Sequence, residues 1–272
     1  MTVKRAAIFL AAGQGKRMGP LTAHYPKCLL PVGEQTVLDM LLPWADNGER
    51  EVIVVTGHQA DVVEAWIDAH YPDVEIRIVH NDDYAIDVNI LSVEKAVNAL
   101  RYPQQGYTII ETDLLLDPRA WQTIHQAESG FRSFWLTHGR YNPMLTGGIV
   151  KAINGTSEIS AIDYVPQYNP AFNGWAKMVG MLSVGPDEVE ADRKLRREAL
   201  CHGYNQYYMV PWIQHRRQLP CIAVDISTYF ARSFNSQAEY QLAVNDYQRL
   251  VQIREITENG NSFSGTCPTE AY

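Results

Sequence analysis

Leu10-Ala-Ala-Gly-Gln-Gly-Lys-Arg-Met18 constrains this chain more than any other stretch. It closes an apolar run, Ala6 to Leu10, of the kind that forms a buried strand, and Gly13 and Gly15 let the backbone turn sharply and approach a ligand. Amides exposed in such a turn make a concavity for anions, which Lys16, Arg17 and, further on, Lys27 reinforce with full charges. A polyphosphate fits that arrangement. With 46% hydrophobic and 20% charged residues, the 272-residue chain has enough apolar content to bury a sizeable core around such a loop.

A formal net charge of −8 argues against a nucleic-acid or anionic-membrane partner. The arginine pairs Arg196-Arg197 and Arg216-Arg217 read as solvated helix faces rather than a basic patch. Cys28, Cys201, Cys221 and Cys267 have no CxxC spacing and fit reduced thiols better than a disulfide frame or a zinc site. About six apolar residues precede the glycine loop, too few for the apolar core of a signal peptide. No run reaches the roughly 18 apolar residues of a membrane span. The expectation is a cytoplasmic protein with no membrane and no nucleic-acid partner, and a homodimer is left open.

Strand and helix patterns alternate through the first half. Apolar runs at 6–10, 51–55, 75–79, 107–110 and 131–136 read as strands. Helices are expected from a Thr36 cap, cut short by Pro43, over 59–70 and 90–100, and from Pro118 to about residue 126. Such alternation implies βαβ units on a mostly parallel sheet with helices on both faces, and ligands beyond the carboxyl ends of the strands. Those ends carry Ala11-Ala-Gly13, Thr56-Gly57-His58, His80-Asn81-Asp82 and Glu111-Thr112-Asp113, all polar or glycine-rich. Later, 147–153 and 158–164 flank Asn154-Gly155, a hairpin signal. Strands follow at 177–184 and 221–226 and helices at 185–200 and 204–214. Ser236-Gln-Ala-Glu239 is a capping box opening a helix to about Arg254. One domain over 1–256 is expected, with a flexible Asn/Ser/Gly/Thr-rich tail over 257–272.

The ordered set Leu-Ala-Ala-Gly-x-Gly-x-Arg-Met, Pro20-Leu-Thr22 and Pro26-Lys-x-Leu-Leu-Pro-Val-Gly33 resembles the nucleotidyltransferase superfamily with the nucleotide-diphospho-sugar transferase fold. The resemblance implies transfer of a nucleotidyl group from a nucleoside triphosphate to a phosphate-type acceptor, with release of pyrophosphate. It also implies a three-layer α/β/α domain of Rossmann-like type with a small acceptor-binding hairpin or insertion. Residues 1–136 would be the nucleotide-binding half and 137–256 the acceptor-binding half. Arg17 would then stabilise the departing pyrophosphate and Lys27 would meet the α-phosphate, the two catalytic cations. Both roles are sensible, because positioned cations stabilise the charge that moves onto phosphate oxygens. Leu10, Ala11, Ala12, Gly13, Gln14, Gly15, Lys16, Gly57, Asn81, Asn89 and Ser92 would contact the nucleotide.

Asp113 ends a buried strand, where it either caps the next loop or, as the resemblance implies, holds Mg²⁺. Glu111, two residues earlier, shares its face. Cytidylyl relatives carry Glu-Ile-Asp-Thr before the last helix; this chain has Ser233-Phe-Asn-Ser236, so Asn235 stands where the second metal ligand is expected, with Asp225 as the alternative. Asn81, Tyr84, Asn89 and Ser92 match the Asn-Pro-x-Tyr-x-x-Thr-Asn-Asn-x-x-Ser pattern of phosphocholine and phosphonate cytidylyltransferases, with helix capping the competing role for Asn89 and Ser92. Asp87 and Val88 depart from that pattern and suggest an acceptor unlike the common amine-bearing ones. Tyr84, Arg140, Trp175 and Lys177 are the acceptor-binding candidates. The function so implied is a Mg²⁺-dependent CTP:phosphonate, or phosphate monoester, cytidylyltransferase. A UTP- or dTTP-using sugar-1-phosphate nucleotidyltransferase is the alternative in the same class, and a catalytically silent nucleotide-binding sensor the alternative in another.

Overall fold

Short runs of valine, isoleucine and alanine, each ended by glycine or a polar residue, make the central strands of the structure. This is a computed structural model that describes residues 5–45 and 50–261. In chain order come β1 (Ala6–Leu10), α1 (Leu21–His24), β2 (Pro31–Val32), β3 (Gln35–Thr36), α2 (Val37–Ala45), β4 (Val52–Thr56), α3 (Ala60–His70), β5 (Ile76–His80), α4 (Ile90–Ala99) and β6 (Tyr107–Glu111). Then follow β7 (Leu114–Leu116), α5 (Ala120–Ser129), β8 (Phe134–Arg140), β9 (Gly147–Ala152), β10 (Ile159–Val165), β11 (Ala176–Val184), α6 (Val189–Leu200), α7 (Val210–Gln214), β12 (Ile222–Asp225), β13 (Ala231–Ser233) and α8 (Gln237–Asn261).

The main sheet runs β10-β9-β11-β6-β1-β4-β5, with β8 paired to β11 and β12 to β8. On the β1 side all pairings are parallel: β1 with β6 and β4, and β4 with β5. Antiparallel pairing enters with β11, which meets β6, β8 and β9 along its length. Alternate residues of a strand face opposite ways, and β1 obeys. Ala7 and Phe9 join a core with side chains of α2, α3, α5 and α8, whereas Ala6 and Ile8 join a second core with α4, α6 and α7. The result is an α/β/α sandwich. A third, smaller cluster, Tyr141, Ile149 and Val165 with Phe172 and Trp175 against it, underlies the β9–β10 hairpin.

Several local expectations change. α2 is capped as expected, Thr36 and Asp39 exchanging hydrogen bonds of 2.8 to 3.2 Å, but it runs through Pro43 to Ala45. The proline forgoes one helical hydrogen bond two residues from the end without stopping the helix. α7 begins only at Val210, because Tyr204 to Tyr208 is irregular. α8 continues past Arg254 to Asn261; the remainder of the expected tail, 262–272, and Cys267 with it, lies outside the described residues. Arg196 is not on a solvated face. It is 1% exposed and donates to Glu94 Oε2 at 2.9 Å and to Asp192, which also accepts from Tyr107 and, at 2.7 Å, from Trp212 Nε1. A buried guanidinium survives only when paired in this way. No helix among the described residues is long and apolar enough to cross a membrane.

Candidate active site

The carboxyl ends of β1 and β6 open into a cavity of about 830 Å³. That is ample for a nucleotide and a small second molecule. The glycine loop forms one wall. Gly15 has φ +61, and a Cβ there would lie 2.9 Å from Thr22 Cγ2, so only glycine fits. The Thr22 hydroxyl in turn donates to the Gly15 carbonyl at 3.1 Å, which ties the Pro-Leu-Thr segment to the loop. Gln59 Nε2 pins Thr22 and Ala23 through their carbonyls at 3.3 and 3.1 Å. Met18 is buried, and the exposed Lys16 and Arg17 border the cavity.

Two short strands absent from the sequence reading make the centre of the site. β7 pairs antiparallel with β13, and the Phe234 N–H donates to the Asp113 carbonyl at 2.9 Å. This ribbon sets Asp113 and Asn235 side by side, across 122 residues of chain. Lys27 Nζ reaches both, at 2.7 Å to Asp113 Oδ2 and 3.3 Å to Asn235 Oδ1, and lies 5.0 Å from the centre of the Phe234 ring. Arg17 donates to the same Asn235 oxygen at 2.8 Å. Asp113 Oδ1 is buried without a hydrogen-bond partner. An orphaned carboxylate oxygen is costly unless something ligates it. With the Asn235 amide oxygen beside it, the pair offers hard oxygen donors that suit Mg²⁺ completed by phosphate oxygens. No group of three or more His, Cys, Asp or Glu that could hold a metal occurs among the described residues, so a protein-only cage is not what these donors form.

Behind Asp113, Glu111 is pushed up to about 7 by burial and by the Asp113 charge, against the opposing pull of Lys177, a Tyr208 hydrogen bond and Lys27. Burial lowers Lys177 to about 8, opposed by Glu111 and Asp113, and its Nζ donates to the Met178 carbonyl at 2.6 Å. Perturbed groups of opposite sign gathered in a cleft mark a functional site. Tyr208, 2% exposed, stacks on Trp135 with ring centres 5.8 Å apart and donates its hydroxyl to Glu111. Tyr164 and Tyr207 share a hydroxyl hydrogen bond of 2.9 Å on the same wall. Sequence reading missed Tyr207 and Tyr208. The signal was their adjacency, Tyr207-Tyr208-Met209, which a helical assignment over 204–214 obscured.

Asp87 changes meaning. Its carboxylate accepts from the Leu91 and Ser92 N–H groups at 3.0 and 2.9 Å, the Ser92 hydroxyl at 2.7 Å and Asn81 Nδ2 at 2.9 Å. It caps α4 while also lining the cavity, so its departure from the family pattern has a structural reason of its own. Asn89 does not cap with its side chain; its Oδ1 accepts the Tyr208 N–H at 2.8 Å, joining α4 to the wall that carries Tyr207 and Tyr208.

Of the residues singled out from sequence, Leu10, Ala11, Ala12, Gly13, Gln14, Gly15, Lys16, Arg17, Lys27, Tyr84, Asn89, Ser92, Asp113, Lys177 and Asn235 line the cavity. Five do not. A Cβ on Gly57 would lie 2.7 Å from Tyr84 Cβ and 3.0 Å from Ala12 Cβ, so Gly57 acts by letting the lining segments close up. Asn81 is fully buried, bonded to Asp87 and Ser92. Trp175 packs against Phe172 in the small aromatic cluster, and Arg140 donates to the Gly174 carbonyl at 3.2 Å on an exposed strand end. Asp225 is exposed and accepts the Ser227 hydroxyl and N–H. Asn235, not Asp225, adjoins Asp113.

Comparison with known proteins adds what geometry alone does not. A family model described as a MobA-like NTP transferase domain matches residues 7–153. CMP-5'-(3-aminopropyl)phosphonate synthase of Streptomyces rubellomurinus is 31% identical over 122 residues, 44% of this chain and 19% of that protein. The 2-aminoethylphosphonate cytidylyltransferase of Lancefieldella rimae is 34% identical over 115 residues, 42% of this chain and 44% of that one. The matches thus span less than half the length of either relative. Among solved structures, the CTP:phosphocholine cytidylyltransferase of Streptococcus pneumoniae superposes with a TM-score of 0.72 at 17% identity, covering 90% of this chain and 99% of that chain. At that identity the likeness speaks for the fold.

Proposed function

The chain belongs to the MobA-like NTP transferase domain family, and on that premise we propose that it is a Mg²⁺-dependent cytidylyltransferase joining CMP from CTP to a small phosphonate or phosphate monoester. The observation that carries the reading is the meeting of Arg17, Lys27, Asp113 and Asn235 at one end of a cavity otherwise walled by a phosphate-type loop. Preference for CTP and for phosphonates is taken from the two phosphonate relatives.

In this reading the amides of 13–15 and the Lys16 and Arg17 side chains hold the triphosphate. An acceptor oxygen attacks the α-phosphorus in line; its bond to phosphorus forms as the bond to the bridging oxygen breaks, and pyrophosphate leaves. Lys27 stabilises charge at the α-phosphate and Arg17 charge on the leaving group. Asp113 and Asn235 would hold Mg²⁺, which when bound draws charge off the phosphate oxygens. Lys177 and Tyr164 face the remaining space, where the acceptor binds. No side chain is needed as a nucleophile.

The test is pyrophosphate release from protein, Mg²⁺ and each of CTP, UTP and dTTP against a panel of phosphonates, phosphate monoesters and sugar 1-phosphates. Release with CTP and a phosphonate is expected. Release only with UTP or dTTP and a sugar 1-phosphate would overturn the subfamily reading, and nucleotide binding without turnover on every acceptor would make the protein a sensor.

A further inference from the structure

Lys27 and Arg17 already hold two of the oxygens beside a divalent ion's place, Asp113 Oδ2 and Asn235 Oδ1, and leave Asp113 Oδ1 without a hydrogen-bond partner. Lys27 Nζ spans Asp113 Oδ2 and Asn235 Oδ1, with the Phe234 ring centre 5.0 Å away. Arg17 donates to the same Asn235 Oδ1. Lys27 is no loose surface cation. It leaves a tight turn in which the Leu29 N–H donates to the Pro26 carbonyl at 2.9 Å, and its side chain is 15% exposed. Glu111, the other nearby carboxylate, is engaged by Tyr208. Asp113 paired with Lys27, and Asn235 with both Lys27 and Arg17, make a poor site for a lone dication, because like charges at such range repel strongly. A nucleoside triphosphate changes the balance. It carries the missing negative charge, supplies ligand oxygens of its own and gives both cations other oxygens to hold.

We infer that Lys27 and Arg17 form a counter-charge latch across Asp113 and Asn235, released by the triphosphate, so that the divalent ion is taken up with the nucleotide and not before it. This rests on the nucleotidyl-transfer reading and adds to it an order of loading. The latch gives Lys27 two effects of opposite sign. Removing its charge strengthens binding of the free ion and weakens turnover. A lysine with a merely structural role would move both in the same direction or neither.

Mn²⁺ titration of the full-length chain, read from the electron paramagnetic resonance of free Mn²⁺, separates these. Wild type, Lys27→Met, Lys27→Arg, Lys16→Met and Asp113→Asn are each titrated with and without a non-hydrolysable CTP analogue. Methionine keeps the aliphatic stem on Phe234, arginine keeps the charge, and the Lys16 variant controls for the loss of one cation from the loop. Wild type should bind Mn²⁺ weakly alone and at least about tenfold more tightly with the analogue. Lys27→Met should bind Mn²⁺ alone at least about tenfold more tightly than wild type. Without the analogue, Lys27→Arg and Lys16→Met should resemble wild type, and Asp113→Asn should bind weakly throughout. Equal or weaker Mn²⁺ binding by Lys27→Met overturns the latch, as does tight binding by wild type without nucleotide or no binding by any protein. Failure of every nucleotide and acceptor to release pyrophosphate would remove the functional reading while these isotherms stand on their own.

Discussion

Two buried glutamates differ in a way that separates the site from the scaffold. Glu128, on α5, would be raised by burial, but the Arg50 guanidinium at 2.9 Å, His125 and Thr108 reverse that and hold its carboxyl down to about 2. Glu111, at the end of β6, faces a second carboxylate instead and rises to about 7. The cations near it are otherwise occupied: Lys27 is on Asp113 and Asn235, and Lys177 is on the Met178 carbonyl. The first glutamate is neutralised by its own dedicated partner and contributes stability. The second sits in a charge arrangement that the protein alone does not settle, which is how a site that awaits a charged ligand is built.

The contrast can be broken most directly at its cations. Lys27→Met should lower kcat by about 100- to 1,000-fold, the range for loss of one positioned charge-stabilising group. Its melting temperature should stay within a few degrees of wild type in a thermal scan. Arg50→Met should do the reverse: stranding Glu128 without its partner should cost about 3 to 5 kcal/mol. That lowers the melting temperature by roughly 10 °C with kcat per folded molecule unchanged. A large activity loss with Arg50→Met at full folding would erase the distinction.

Acid and alkali should pull the two glutamates in opposite directions. Glu128 is lowered in the fold, so its stabilisation is fully present above pH 4.5 and is lost as pH falls toward 2. It amounts to ~3 kcal/mol, and Glu128→Gln should flatten the acid limb of a stability-against-pH curve. Glu111 is raised, so its contribution is present below pH 4.5 and is lost as pH climbs through 7. Glu111→Gln, measured without added metal, should therefore flatten the curve between pH 5 and 8. Curves parallel to wild type for both variants would show that the two environments do not differ. A smaller effect is expected at the loop. Gly15→Ala forces a side chain into left-handed backbone against Thr22, for about 1 to 2 kcal/mol of strain, read as a raised KM for nucleotide. The smallest sharpens the acceptor wall: Trp175→Leu and Arg140→Ala, which do not line the cavity, should change acceptor KM by less than about threefold, the reach of a surface change of ±0.5 kcal/mol.

The glycine-loop end of the cavity was legible in sequence because its geometry is local. Gly15, Thr22 and Lys27 lie within one short stretch, and each needs its residue type for a nearby reason. The parallel half of the sheet was legible too, through apolar runs that stop at polar strand ends. The opposite wall was legible only in part: Tyr84 and Lys177 were expected at the cavity, but not the residues that meet them there. Tyr164 on β10, Lys177 on β11 and the irregular Tyr207-Tyr208 meet only through strand pairing that no short-range pattern encodes. Leu114–Leu116 and Ala231–Ser233 are too short to announce themselves as strands, yet their pairing decides that Asn235 and not Asp225 adjoins Asp113. Arg196 misled for a related reason. It reads as a polar surface residue until its buried partners Glu94 and Asp192 are known.

The ribbon between β7 and β13 also sets a clock on synthesis. Arg17 and Asn235, which it brings to hydrogen-bonding distance, are 218 positions apart in the chain. At the usual pace of translation, about 5 to 20 residues per second, the phosphate loop leaves the ribosome roughly 10 to 40 s before the asparagine that completes the site. Throughout that interval a nascent chain has its glycine loop and both loop cations but not its second oxygen donor. The pair of oxygen donors is completed late and all at once, just after the last strand.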